Sequence, residues 1–252
     1  RPMPTEPDSQ HHSSPETPLS SPTLAEPRPP RLGLEIAGVL SVGGIPHLFN
    51  SLYYLLIDYE QTTAGDASAP TRQVSFAVES ITHMTSSIPI TLVVLWIMRQ
   101  SREPWSTFGF VKPKPFRAAG IGIAVLLEQN SPVEIEAGVF ESGALVRPTS
   151  PLDVPMLVVM SVAIATSEQV VITAYLISRF TTHFRSVVPA VIVAVALFAS
   201  YHMYQGIWGV LGAALFGAVI GTYFAITRNI WPCIAAHILG DVVPYTIAYF
   251  DA

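Results

Sequence analysis

Four residues of this chain could do chemistry together: Glu168, His202, His237 and Asp241. Each stands in a stretch otherwise almost free of charge. Glu168 is the sole Asp, Glu, Lys or Arg in 155–178, none occurs in the 41 residues of 187–227, and Asp241 is alone in 229–250. An ionisable side chain in hydrocarbon costs roughly 2.5–3.5 kcal/mol on insertion scales, so it normally faces a protein interior and serves a function. His237 and Asp241 are four apart, so one helix face carries both. A carboxylate and two imidazoles can hold a water, deprotonate it and stabilise an oxyanion. The same set could bind a divalent metal or relay protons. Residue types and spacing leave those chemistries open.

Other polar residues share the apolar stretches. Glu35 lies near the end of one and can reach its interface. His47, near Asn50, is expected as a hydrogen-bonded interior histidine. Glu79 and His83 are four apart, with Ser86 and Ser87 nearby. They are expected to bond each other or neighbouring helices, although a proton-coupled transporter could use such a pair with Glu168.

The elements that must position these groups are membrane helices. Half of the 252 residues are apolar and 12% are charged, against roughly 25% in soluble domains. About 20 apolar residues cross a bilayer core. On that measure the spans run approximately over 34–57, 74–98, 116–130, 154–178, 187–204, 207–227 and 229–250, the third being the shortest. Gln205-Gly206 is the expected turn between the fifth and sixth. With seven spans, ten basic residues from Arg28 onward fall on one side and only Arg72 and Arg147 on the other. The positive-inside rule then gives a multi-pass cell-membrane protein with a cytoplasmic N-terminus. Gly217 and Gly221, with Gly206, Gly209 and Gly212, should let helices approach closely.

Residues 1–30 differ in kind. They are rich in Pro, Ser, Thr and Glu and read as a disordered tail, followed by a transmembrane domain over 31–252. A net charge of −5 without a basic cluster argues against nucleic acid as a partner. Cys233 is the only cysteine, which excludes an intrachain disulfide or a zinc site built on several thiolates.

Three short motifs then combine. Phe198-Ala199-Ser200-Tyr201-His202 reads Phe-x-x-x-His, and His237-Ile238-Leu239-Gly240-Asp241 reads His-x-x-x-Asn/Asp after Asn229-Ile230-Trp231-Pro232. Glu168-Gln169 and Thr173 stand where a Glu-Glu-x-x-x-Arg helix would be, and Arg102-Glu103-Pro104-Trp105 through Phe108-Gly109-Phe110 resembles a segment preceding it. In order and separation these resemble the CPBP family, the CAAX protease and bacteriocin-processing membrane proteins also called the ABI family. The likeness covers a core of about 153–250. Here Gln169 replaces the second glutamate and Thr173 the arginine, two changes that compensate in charge.

The resemblance implies an all-α, polytopic helical bundle acting as an intramembrane endopeptidase on membrane-associated proteins or peptides. Prenylated CAAX substrates are the family's eukaryotic use. It implies that Glu168 and His202 activate the hydrolytic water, while His237 and Asp241 steady the tetrahedral intermediate. An ionised Asp241 cannot donate to an oxyanion, so it must set the tautomer of His237, be protonated, or bind a metal. A divalent metal such as zinc, if used, would sit on Glu168, His202 and His237. The altered first motif also fits a catalytically silent member acting as a membrane scaffold or an immunity or regulatory protein.

Overall fold

A computed structural model describes residues 31–49, 51–53, 76–112, 148 and 150–250. The proline-rich segment 1–30 and the expected third span at 116–130 lie outside the described residues. Among the described residues every regular element is helical.

Helix α1 (Leu32–Tyr53) contains a π-helical stretch at Leu40–Gly44. Helix α2 is Phe76–Gln100. Helix α3 (Asp153–Phe184) is α-helical to Glu168, π-helical over Gln169–Leu176 and α-helical again from Ile177. Helices α4 (Val187–Ser200) and α5 (Gly206–Thr227) flank a 3-10 turn at Met203–Gln205, and α6 is Trp231–Phe250. Among the described residues four helical stretches are long and apolar enough to cross a membrane, namely α1, α2, α3 and Met203–Thr227, and Val187–Ser200 and Trp231–Val243 are shorter apolar helices. The fifth expected span ends early because the chain leaves helix at Ser200, before His202.

Helix α3 is the central element, packed against α2, α4 and α6. Seven of the eight residues in its π-helical stretch are buried, among them Gln169, Thr173 and Tyr175. Outer faces remain apolar: Ile207, Leu211 and Leu215 of α5, spaced by four, are 50–65% exposed. A stripe of that kind suits a hydrocarbon surrounding and would promote aggregation in water. Helices α4 and α5 pack closely where Gly217 and Gly221 face Val191, Val195 and Phe198, as the glycine spacing predicts. A Cβ on Gly217 would come within 3.2 Å of the Phe198 ring.

The segment after α2 locks the bundle at one end. Phe108 is fully buried and stacks on Tyr175 of α3, with ring centroids 6.4 Å apart. Gly109 has φ +82°, and a Cβ there would lie 2.4 Å from Phe224. Glycine alone fits that approach and that backbone. The Gly109 carbonyl accepts the Ile230 N–H at 3.0 Å, and Trp231 Nε1 donates to the Val111 carbonyl at 2.8 Å, so the start of α6 is held by this segment.

Arg179 also differs from expectation. It is read from sequence as a loop residue beyond the fourth span, yet it lies within α3 and is 2% exposed. Its Nη1 pairs with Glu103 and its Nη2 lies 3.5 Å from Glu35 of α1. The guanidinium also covers Phe108, 4.9 Å from the ring centroid. Glu35 therefore finds a cation inside the protein rather than only an interface. The charge of Arg179 is tolerated because two carboxylates and an aromatic face replace its water.

Candidate active site

Glu168 closes the first α-helical part of α3, and Gln169 opens the π-helical part. The wider π turn changes the register of the side chains that follow Glu168, a feature that recurs at functional sites. Here it turns both residues toward α6. Glu168 Oε2 is 3.4 Å from His237 Nε2, and Asp241 Oδ1 is 3.7 Å from that same nitrogen. On the other side of the ring, Gln169 Nε2 is 2.9 Å from His237 Nδ1. Thr173 Oγ1 donates to Gln169 Oε1 at 2.7 Å. The ring of His237 is buried and packs on Phe216, with centroids 4.8 Å apart.

His202 approaches from the turn between α4 and α5, not from a helix as the sequence suggests. Its ring packs on Phe198 at 4.7 Å and on Tyr201 at 4.8 Å between centroids. Phe198 also stands 6.2 Å from the His237 ring, so one phenyl group separates and aligns the two imidazoles. The turn is fastened from α1, where Ser51 Oγ accepts the Tyr204 N–H at 2.9 Å. Among the described residues no hydrogen bond joins His202 directly to Glu168.

Hydrogen bonding distinguishes the two histidines. His202 Nδ1 lies 2.8 Å from the Phe198 carbonyl. A carbonyl can only accept, so that nitrogen carries the proton and Nε2 of the neutral ring keeps a lone pair. His237 meets the opposite surroundings, an amide N–H at Nδ1 and two carboxylates at Nε2.

A metal ion would need three or more suitable donors converging on one point. Among the described residues no such group of His, Cys, Asp and Glu is arranged to hold one. His237 also departs from the usual ligand pattern, in which the nitrogen away from the metal donates to a carbonyl or carboxylate. Its Nδ1 faces a donor instead. In this geometry Glu168, His202 and His237 do not form such a group.

Other sequence candidates lie apart. Glu35 belongs to the Arg179 cluster. His47 is exposed on α1, with its ring 6.0 Å from that of Tyr201. His83 is on α2, as is the backbone of Glu79, whose side chain is outside the described residues. Two participants escape a search for charge: Gln169 and Thr173 are uncharged, and their signal lies only in their positions within a degenerate motif. An apolar crevice lined by Ile172, Thr173, Phe198, Phe216 and Gly217 runs beside them, with Gln169 on its wall.

Residues 150–243 match the Rce1-like family, described as type II CAAX prenyl endopeptidase Rce1-like. The match contains Glu168, His202, His237 and Asp241 and is consistent with the CPBP resemblance read from the motifs. No curated protein and no solved structure matches the chain.

Proposed function

We propose that the chain is an intramembrane endopeptidase that hydrolyses peptide bonds of membrane-associated substrates, using a water activated by Glu168 and His202. The observation that carries this reading is the opposed bonding of the two imidazoles, one left with a lone pair and the other with an N–H toward the carboxylates. Hydrolysis needs both polarities at one site. The Rce1-like match supports a protease and a substrate of CAAX type, a prenylated peptide held in the membrane.

In the proposed reaction Glu168 takes a proton from water while His202 Nε2 accepts the water's other hydrogen bond. The water oxygen bonds to the carbonyl carbon, and the carbonyl π pair moves onto oxygen. The resulting oxyanion receives the N–H of His237. Glu168 then delivers its proton to the leaving nitrogen as the C–N bond breaks, giving a carboxyl group and an amine. Asp241 holds the His237 proton toward the site before substrate arrives.

The same reading makes this a multi-pass protein with seven spans and a cytoplasmic N-terminus. Helix α4 has 14 residues and rises about 21 Å, less than the roughly 30 Å hydrocarbon core. The turn bearing His202 then falls at membrane depth, where irregular backbone is tolerated only against protein or a watered cavity. The His202 environment of Phe198, Tyr201 and Tyr204 supplies such cover.

The test is cleavage of a fluorogenic prenylated peptide by the full chain reconstituted in liposomes. Cleavage should be abolished in Glu168→Ala and in His202→Ala. Unchanged cleavage in both variants would overturn the reading. Absence of cleavage by the folded wild type, for prenylated and unprenylated membrane peptides alike, would favour the silent scaffold instead.

A further inference from the structure

We propose that Gln169 and Thr173 are positioning residues that hold His237 in a single tautomer, with its proton on Nε2. These two positions are where the chain departs from the motif it otherwise resembles. They are joined to each other and to His237 in a continuous line: Thr173 Oγ1 to Gln169 Oε1 at 2.7 Å, then Gln169 Nε2 to His237 Nδ1 at 2.9 Å.

The direction of the line follows from its two ends. At one end, His237 Nε2 looks onto Glu168 Oε2 at 3.4 Å and Asp241 Oδ1 at 3.7 Å. Carboxylate oxygens are acceptors, so the nitrogen facing them is the one that carries hydrogen. A neutral imidazole with Nε2–H has a lone pair at Nδ1 and requires a donor there. A carboxylate at position 169 could only accept, whereas an amide can donate. With the amide N–H turned to His237, its oxygen is left pointing at Thr173, whose hydroxyl is a donor. Thr173, Gln169 and His237 are all buried, so water does not compete for these bonds.

Gln169 and Thr173 thus work as a pair. The threonine hydroxyl satisfies the amide oxygen and holds the amide in place, and the amide donor at Nδ1 fixes which nitrogen of His237 is protonated. A glutamate at 169 would favour the opposite tautomer and present a lone pair, not an N–H, to the reacting carbonyl. With Gln169 and Thr173 in place of the glutamate and arginine, the chain holds His237 in the donor form through neutral groups. The catalytic consequence rests on the hydrolytic reading above, while the tautomer rests on the contacts alone.

The test is nitrogen NMR of the full chain in lipid bilayers at neutral pH, with ¹⁵N-histidine labelling and His237 assigned by its absence in His237→Asn. In wild type the Nε2 resonance should be of the protonated type and Nδ1 of the unprotonated type. Gln169→Glu should move the proton to Nδ1. Thr173→Val should give a mixture of tautomers, and Thr173→Ser should restore the single form. A wild-type His237 protonated on Nδ1, or a Gln169→Glu spectrum unchanged from wild type, would overturn the proposal. A single unchanged tautomer in Thr173→Val would overturn the part given to threonine. The wild-type spectrum decides the polarity even where a variant does not fold. In the peptidase assay Gln169→Glu should lower kcat by roughly 10²–10³-fold, the loss of one oxyanion donor, with KM little changed. The expected tautomer without any peptidase activity would sink the hydrolytic reading and leave this inference standing.

Discussion

Glu168 of α3 and His237 of α6 meet at 3.4 Å between Oε2 and Nε2, although 68 residues separate His237 from Gln169, the neighbour of that glutamate. The contact joins an acceptor to the donor side of an imidazole. It is longer than a strong hydrogen bond, which leaves both groups able to turn to a third partner. Water and a peptide carbonyl are the partners proposed here.

Glu168→Gln keeps the size of the side chain and removes its basicity. Peptidase kcat should fall by roughly 10²–10⁴-fold, the usual range for loss of a positioned acid–base group. KM and the unfolding temperature should stay close to wild type. Steady-state kinetics and thermal unfolding in the same detergent check both halves.

His237→Ala should lose activity and stability together. Removing the ring withdraws the partner of the buried Gln169 amide, which costs about 1–3 kcal/mol for an unsatisfied group. A chemical denaturation curve measures this, and comparison with Glu168→Gln separates the structural loss from the catalytic one.

Arg179→Met should destabilise the protein by about 1–3 kcal/mol, because Glu35 and Glu103 are left without the cation they share. Both carboxylates are about a third exposed, so water softens the effect relative to a fully buried pair. The triple change Arg179→Met, Glu35→Gln, Glu103→Gln should recover part of the loss. Unfolding temperatures of the single and triple variants read this directly.

Gly217→Val should impair both folding and catalysis. Its Cβ alone would meet Phe198 at 3.2 Å, and overpacking of this kind costs about 1–3 kcal/mol. Phe198 is also the ring on which both imidazoles rest. Activity should therefore fall further than thermal stability predicts, as seen by comparing initial rates at a temperature where the variant is fully folded.

Peptidase activity should survive prolonged dialysis against a chelator, since the bonding of His237 does not leave it arranged as a ligand. Elemental analysis of the active, dialysed protein should find no stoichiometric zinc. Activity lost on dialysis and regained with zinc would reverse this expectation.

Much of the frame was legible because charge in an apolar run is easy to see. Glu168, His202, His237 and Asp241 stood out as ionisable residues, and the four-residue spacing of His237 and Asp241 gave their common face. The turn at Gln205-Gly206 and the close approach at Gly217 were readable from composition in the same way. The π-helical stretch at Gln169–Leu176 was not, because Val170, Val171 and Ile172 suit an α-helix equally well and the choice is one of hydrogen-bond register. The burial of Arg179 was hidden for another reason: its partner Glu103 lies 76 residues away, and only packing brings them together. Gln169 was visible as a departure from a motif, but its meaning depended on which ring nitrogen it touched.

The serine at position 51 and the glutamates at 35 and 103 all precede the region 150–243, yet they secure the His202 turn and Arg179 within it. A chain truncated to that region would retain the four titratable groups but would lose the struts that hold them at working distance. Autonomy of the matched region is thus not to be expected, and the amino-terminal helices are scaffold members in their own right.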